Sequence, residues 1–572
     1  MLARVSAWLL CLVALLACLS FTQAAGAQAQ QPAAAVEQAP KLDTGDTAWM
    51  LISTALVLMM TIPGLALFYG GLVRSKNVLS TLMHSLFCAA LISVVWVVVG
   101  YSLAFGPSQG GWIGNLDFLG MKGVVGGKPS DLAKSIPLGL FVMYQLTFAV
   151  ITPALISGSF AERMRFAAFA IMMLLWSLFI YAPLAHWVWG GGWIGTKLGA
   201  LDFAGGTVVH ISSGASALVC ALYLGKRQGY GSEPMPPHNL PFTLIGAGLL
   251  WVGWFGFNAG SALGSNELAS TAMLNTNTAA AGAALSWLFM ELVRSKHATI
   301  LGAASGAVAG LVVITPAAGF VSPMAALAMG LMGGVVCYFA VGLKPRFGYD
   351  DALDVVGVHF VGGTLGAILT GVFATSKVNP AITDLTAGGS AKDATSIIGS
   401  LPGGLIEGHA SLVLAQLLAV LATIALAAVG TLAILFIVNL ITPVRAKADD
   451  EILGMDLSQH RERAYAIGGG DALSAAASVM ADPKSAAQPP TQASRFTVVL
   501  EGVNEQAAIE RWRSLCLQRD SAPGVAFTSV YSQLSTVRHL RFRFRAGDRE
   551  QIRANLERLF ADMGPNVKAR IE

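Results

Sequence analysis

The stretch Leu201-Asp-Phe-Ala-Gly-Gly-Thr-Val-Val-His-Ile-Ser-Ser-Gly-Ala-Ser-Ala-Leu-Val-Cys220 decides how this chain is read. It opens on a carboxylate, Asp202, turns through Gly205-Gly206, and continues as an apolar helix candidate with His210 inside it. An ionisable side chain at membrane depth is costly and marks a functional site whose partner has to be named. A candidate partner is His359, in Asp354-Val-Val-Gly-Val-His-Phe-Val-Gly-Gly-Thr-Leu-Gly-Ala-Ile-Leu369. Both segments carry Val-His, a glycine four residues on (Gly214, Gly363) and a small residue seven on (Ala217, Gly366), a faint internal repeat. A lone buried histidine usually donates one hydrogen bond to a carbonyl and does no more. Two in matching membrane positions point to function, since neutral imidazoles joined by a hydrogen bond can relay a proton or lead small dipolar molecules.

Composition agrees with a membrane setting. Of 572 residues 55% are hydrophobic and 12% charged, against about 25% charged in a soluble domain. The 63 glycines let membrane helices approach closely where apolar burial gives no drive. A net charge of +4 is too small to argue for nucleic acid. The six cysteines show no metal-ligand or disulfide spacing. Neither a nucleophile–base set nor a metal cluster is apparent, so the reading is a non-enzyme with no catalytic residues and no cofactor.

Residues 1–27 combine Arg4, an apolar run from Trp8 to Leu19 and Ala25-Gly-Ala27, the pattern of a signal peptide. Residues 28–42 follow as an external linker. Apolar segments then recur at 47–70, 83–105, 137–159, 166–188, 205–224, 241–263, 272–293, 299–319, 323–343, 353–375 and 409–442, eleven spans in a membrane domain of residues 43–444. Arg74/Lys76, Arg163/Arg165, Lys226/Arg227, Arg294/Lys296, Lys344/Arg346 and Arg445/Lys447 fall on alternate connections. The positive-inside rule makes these cytoplasmic, with the mature N-terminus outside and the C-terminus inside. The histidine segments are the fifth and tenth spans, so the expected fold is an all-α polytopic membrane protein with a 5+5 inverted repeat plus one helix. Residues 445–494 read as cytoplasmic tail and linker, and 495–572 as a small α+β domain of ferredoxin-like strand–helix order.

Aromatic residues gather where an outer mouth is expected. Trp187-Val-Trp-Gly-Gly-Gly-Trp193 reads in part as an interfacial belt. Phe148, in Tyr144-Gln-Leu-Thr-Phe148, and Phe257, in Gly253-Trp-Phe-Gly-Phe-Asn-Ala-Gly-Ser261, are read equally as core packing or as pore aromatics. Aromatic faces with a hydroxyl can select a small cation, each desolvated cation–π contact being worth about 2 kcal/mol.

Thr61-Ile-Pro-Gly-Leu-Ala-Leu-Phe-Tyr-Gly-Gly-Leu-Val73, Ala161-Glu-Arg-Met-Arg165, Ala185-His-Trp-Val-Trp-Gly-Gly-Gly192, Leu201-Asp-Phe-Ala-Gly-Gly-Thr-Val-Val-His210, Pro237-His-Asn-Leu-Pro241, Gly253-Trp-Phe-Gly-Phe-Asn-Ala-Gly-Ser-Ala262 and Gly357-Val-His359 resemble the ammonium transporters (Amt), over about residues 43–465. The resemblance implies eleven helices, a homotrimer with one pore per subunit in the lipid bilayer of a bacterial inner membrane, and ammonium or ammonia as substrate. It further implies ammonium binding at Trp189, Ser261 and Phe148, a gate of Phe148 and Phe257, a pore pair of His210 and His359, and a vestibule-shaping role for Asp202. Tyr144 falls where members carry a further aromatic. In the tail, Gly454, Asp456, His460, Glu462, Ala464 and Tyr465 resemble the segment that couples subunits, with Arg461 standing where members usually have glycine. Nitrogen-regulatory P-II proteins are the partner implied at this face. An ammonium sensor signalling through residues 495–572 is the alternative reading, and a Rhesus-type gas channel the third.

Overall fold

The computed structural model describes residues 41–380 and 403–465, with the backbone of three strands near the C-terminus. The expected signal peptide lies outside the described residues. The chain forms two compact units, Met1–Tyr465 and Ala466–Glu572.

Among the described residues nine helices are long and apolar enough to cross a membrane. They are α1 (Thr44–Leu72), α2 (Ser75–Phe105), α3 (Leu138–Phe160), α4 (Phe166–Val188), α5 (Gly206–Leu224), α6 (Leu240–Ala262), α9 (Pro323–Gly342), α10 (Val356–Phe373) and α11 (Ala410–Ile441). Two more helices, α7 (Glu267–Ser295) and α8 (Ile300–Ile314), occupy the remaining expected segments. Helix α7 is diluted by polar residues that face inward. Asn275 Nδ2 donates to the Ala318 and Val321 carbonyls at 2.9 and 2.7 Å, and Thr276 takes a bond from Asn258 at 3.0 Å. Its outer face, with Leu274, Leu285 and Phe289, is apolar and exposed. Helix α8 is only 15 residues long because its sequel turns at Thr315-Pro316.

Small residues set the packing. A Cβ at Gly330 of α9 would lie 2.6 Å from Ala279 Cα of α7, and one at Gly310 of α8 would lie 2.6 Å from Ala283 Cβ. These helices approach at backbone distance, as the glycine content suggested.

Charged residues of the expected cytoplasmic loops form one buried knot. Glu162 accepts from the Arg74 backbone and Nε at 2.8 Å each, and from Arg227 at 3.3 Å. Arg227 grips Asp350 with two bonds of 2.9 Å, and Arg163 donates to the Asp350 carbonyl at 2.5 Å. Burial pushes the Glu162 carboxyl up, but Arg227 and Arg74 outweigh it and hold the group below its usual range. Removing one partner from such a set leaves an uncompensated buried charge.

The tail, 444–465, is stitched to the same face. Arg445 binds Glu451 at 2.7 Å and the Leu224 carbonyl at 2.8 Å, Asp456 accepts from Ser80 N at 2.8 Å, and Tyr465 meets His238 at 2.8 Å. Arg461 has φ 60° and ψ 30°, the left-handed conformation. The turn therefore has the shape a glycine would give it, held here by a residue with a Cβ.

In the second unit Phe496–Glu501 is the central strand, antiparallel to His539–Phe544 and to Lys568–Ile571. These recover three of the expected strands. The expected helices at 505–516 and 548–563 and the strand at 525–533 lie outside the described residues.

Candidate functional site

The site grows from two helix starts. Asp202 receives the N–H groups of Gly205, Gly206 and Thr207 at 2.8, 2.6 and 2.8 Å, that of Val208 at 3.3 Å, and the Thr207 hydroxyl. These are the donors a helix leaves unpaired at its N-terminus. Gly205 has φ +116°, a backbone shape a side chain would strain. Burial leaves the Asp202 carboxyl above its usual range although the Thr207, Gly205 and Gly206 donors oppose that; those same bonds tie it to the start of α5.

The tenth helix begins in the same manner. Asp351 accepts the Val356 N–H at 2.7 Å. It precedes His359 by eight residues (359 − 351), as Asp202 precedes His210 (210 − 202). That shared offset is a sequence signal that the repeat reading missed. Burial pushes Asp351 up to about 6 despite Lys344. Both histidines lie on π-helical first turns, Gly206–Ile211 and Val356–Phe360, a distortion often found at functional positions.

The two helices cross at the repeat glycines, reciprocally. A Cβ on Gly214 would come within 2.6 Å of Phe360 Cβ, and one on Gly363 within 2.9 Å of His210 Cβ. This close crossing brings His210 Nδ1 to 3.1 Å from His359 Nδ1. Both rings are buried, tilted by 29° with centroids 5.2 Å apart. One Nδ1 must donate and the other accept. In the neutral pair one Nε2 is then an acceptor and the other a donor.

Three cavities lie along this line. The outer one, about 250 Å³, is lined by Tyr144, Phe148, Trp189, Asp202, Ser261 and others. The middle one, about 10 Å³ and almost wholly apolar, is lined by His210, His359, Trp254, Phe257 and neighbours. The inner one, about 210 Å³, shares Phe68, Tyr69, Val308 and His359 with the middle one. Phe148 and Phe257 separate outer from middle, with centroids 4.4 Å apart and planes at 35°. A space of about 10 Å³ is at the lower limit for a single water.

At the outer cavity Trp189 stands 5.8 Å from Phe148, edge to face, and its Nε1 donates to the Asp202 carbonyl at 2.9 Å. Ser261 Oγ donates to the Phe257 carbonyl at 2.8 Å and lies 3.2 Å from the Tyr144 hydroxyl. Tyr144 OH itself is within 2.9 Å of the Gly256 carbonyl. The structure thus brings together every site residue named from the sequence. It also divides the tryptophan run: Trp187 and Trp193 pack with Trp112 at centroid distances of 5.5 and 6.0 Å, as a belt would, while Trp189 turns to the cavity. Trp254 was missed. It stacks on His210 at 5.6 Å and 22° and is anchored on Thr315 at 2.8 Å; its place one turn before Phe257 was the available signal. Among the described residues no group of three His, Cys, Asp or Glu side chains is placed to hold a metal ion.

Comparison with known proteins shows the family of the chain. The model of the Ammonium Transporter Family matches residues 48–465. The chain is 52% identical over 426 residues to an ammonium transporter of Bacillus subtilis, covering 74% of this chain and 99% of the relative. It is 42% identical over 424 residues to the ammonium transporter Amt1 of Archaeoglobus fulgidus, covering 74% and 100%. Among solved structures, Saccharomyces cerevisiae Mep2 matches with a TM-score of 0.65 and 37% identity, over 72% of this chain and 89% of that one. A structure titled Sensor Amt Protein matches with a TM-score of 0.64 and 26% identity, over 73% and 98%. The chain belongs to the ammonium transporter family.

Proposed function

We propose that this membrane protein transports ammonium by holding the cation in the outer cavity, removing its proton near the phenylalanine pair and passing ammonia along the two imidazoles. The carrying observation is the succession of an aromatic and hydroxyl cup, two closely packed phenylalanine rings, and an apolar space with two joined histidines. Trp189 and Phe148 supply π faces, worth about 2 kcal/mol per desolvated contact, and Ser261 supplies a lone pair. Complete burial disfavours the charged form of an amine by about 3–5 pKa units, so the middle cavity admits ammonia and not its conjugate acid. Ammonia both donates and accepts, which suits the acceptor and donor Nε2 atoms of the pair. Potassium has no proton to lose, and this space lacks the ring of oxygens that would replace its hydration shell.

The remaining assignments rest on consistent but coarser support. Helices α7 and α8, added to the nine, make eleven spans, and the matching helix starts and reciprocal glycines favour an inverted repeat. The basic loops gathered in one ion-pair knot favour a cytoplasmic C-terminus. Exposed apolar faces, including Leu51 and Ile52 of α1 and Leu285 and Phe289 of α7, suit lipid and neighbouring subunits of a homotrimer. The stitched tail is the face proposed for P-II docking. Residues 495–572 are proposed as a ferredoxin-like regulatory unit, since a central first strand flanked by the third and fourth is that fold's order. Residues 1–27 remain the proposed signal peptide.

Ammonium pulses on solid-supported membranes test the transport reading; a folded, membrane-inserted preparation with neither current nor uptake would end it. The solved structure titled as a sensor, together with the extra C-terminal unit, favours a second reading as sensor. Growth of a transporter-deficient strain on limiting ammonium, with and without residues 495–572, separates the two. Uptake that never recovers with the full-length chain would favour sensing.

A further inference from the structure

We infer that one face of the three-stranded sheet in the second unit docks on the anionic phospholipid surface of the membrane that holds the rest of the chain. The inference goes beyond the transport reading and rests only on the chain being membrane-embedded. Residues paired across antiparallel strands lie on one face of a sheet, and the face alternates along each strand. Val499 of the central strand is paired with Arg541 on one side and Arg570 on the other. Glu501 is paired with His539 and Lys568, and Thr497 with Arg543. Arg541, Arg543, Lys568 and Arg570 thus share a face with one carboxylate, Glu501. Every alternate position in the same register, from Phe496–Phe544 to Leu500–Leu540 and across to Ala569 and Ile571, is apolar. The sheet has one face suited to a core and one suited to an anion.

Such a face is not an average surface. Protein surfaces intersperse both signs, and the stretch 505–516 of this unit does so, with Glu505 and Glu510 beside Arg511 and Arg513. The excess of cations falls on the sheet. Arg541 and Arg543 are one strand repeat apart, about 7 Å, and Arg541 and Arg570 two strand spacings, about 10 Å. These separations are near the Debye length of about 8 Å at physiological salt, so the like charges repel and an anionic partner relieves them. Sheets that bind single-stranded nucleic acid carry aromatic residues on the binding face, where bases stack. Here Phe496, Phe542 and Phe544 all fall on the apolar face, which leaves phosphate recognition without base recognition. Chain continuity supplies the partner. The 31 steps from Tyr465 to Phe496 (496 − 465) reach at most about 110 Å, so the unit meets a bilayer at high effective concentration. Each Lys or Arg near an anionic leaflet then strengthens attachment about fivefold.

The test uses the full-length chain in nanodiscs, with a fluorescent protein fused after Glu572 and an acceptor dye on the lipid headgroups. Energy transfer is expected to rise when phosphatidylglycerol is mixed into phosphatidylcholine. It should fall back at about 1 M salt, where the Debye length is about 3 Å. Arg541→Gln with Arg570→Gln should lower the docked-to-free ratio about 30-fold, and Glu501→Gln should raise it about fivefold. Arg541→Lys with Arg570→Lys keeps the charge and should dock like wild type. A gain in Glu501→Gln that salt abolishes cannot come from misfolding, so this variant carries the test if the paired glutamine variant does not fold. Energy transfer that ignores phosphatidylglycerol, or a Glu501→Gln variant no different from wild type, overturns the inference. A labelled single-stranded RNA oligonucleotide is offered to the same nanodiscs. RNA binding with no response to phosphatidylglycerol assigns the face to nucleic acid and overturns membrane docking.

Discussion

Replacing Asp202 by asparagine tests the link between the start of α5 and the cavity beside it. The carboxylate accepts from Gly205 and Gly206 through Oδ1 and from Thr207 N–H and hydroxyl through Oδ2. Asparagine keeps the first oxygen but turns an NH₂ toward Thr207, donor against donor. The Thr207 hydroxyl can rotate to accept, which leaves one backbone N–H unpaired. A hydrogen bond to a charged group is worth about 1.5–3 kcal/mol, and the lost anion at a helix N-terminus adds about 0.5–1 kcal/mol. The expected destabilisation is about 3 kcal/mol, read as a lower unfolding temperature in detergent. Because Trp189 hydrogen-bonds the Asp202 carbonyl, the half-saturating ammonium concentration should rise as well. Asp202→Asn protein that unfolds like wild type and transports with unchanged half-saturation would refute both the capping argument and its coupling to the site.

Other perturbations follow from the same geometry. Arg461→Gly relieves a left-handed residue and should stabilise the tail by up to about 1 kcal/mol, seen as slower proteolysis after Val444; faster cleavage would contradict the strain argument. Asp351, pushed up to about 6, holds its proton more tightly folded than unfolded, where its pKa is about 3.9. That contribution is complete below about pH 4 and lost as pH rises through about 6, about 3 kcal/mol in all. Asp351→Asn should flatten the fall in unfolding temperature over that window, and an unchanged slope would assign the fall elsewhere. Gly363→Val inserts bulk against His210 Cβ and should abolish uptake while expression and membrane insertion persist; normal uptake would mean that the helix crossing does not set the histidine pair.

The membrane fold and the histidine pair were legible in the linear chain, for physical reasons. A bilayer imposes long apolar runs, a charge bias on alternate loops, and a high cost on any ionisable group within, so these features survive as local patterns. Helix α7 shows the limit of that signal, since its Asn275 is satisfied by the Ala318 and Val321 carbonyls and its Thr276 by the Asn258 amide, distant groups that hydropathy does not see. What no local pattern held was orientation. The sequence placed Trp187, Trp189 and Trp193 in one run, and only the folded chain sends the middle one to the cavity and the outer two to Trp112. Likewise it placed a carboxylate before each histidine without showing that Asp202 closes a helix start rather than facing the substrate. The imidazoles meet because Gly214 and Gly363 let two helices cross at backbone distance, and such a crossing depends on partners far apart in sequence. Composition and spacing determined which groups are available; tertiary packing decided which atoms meet.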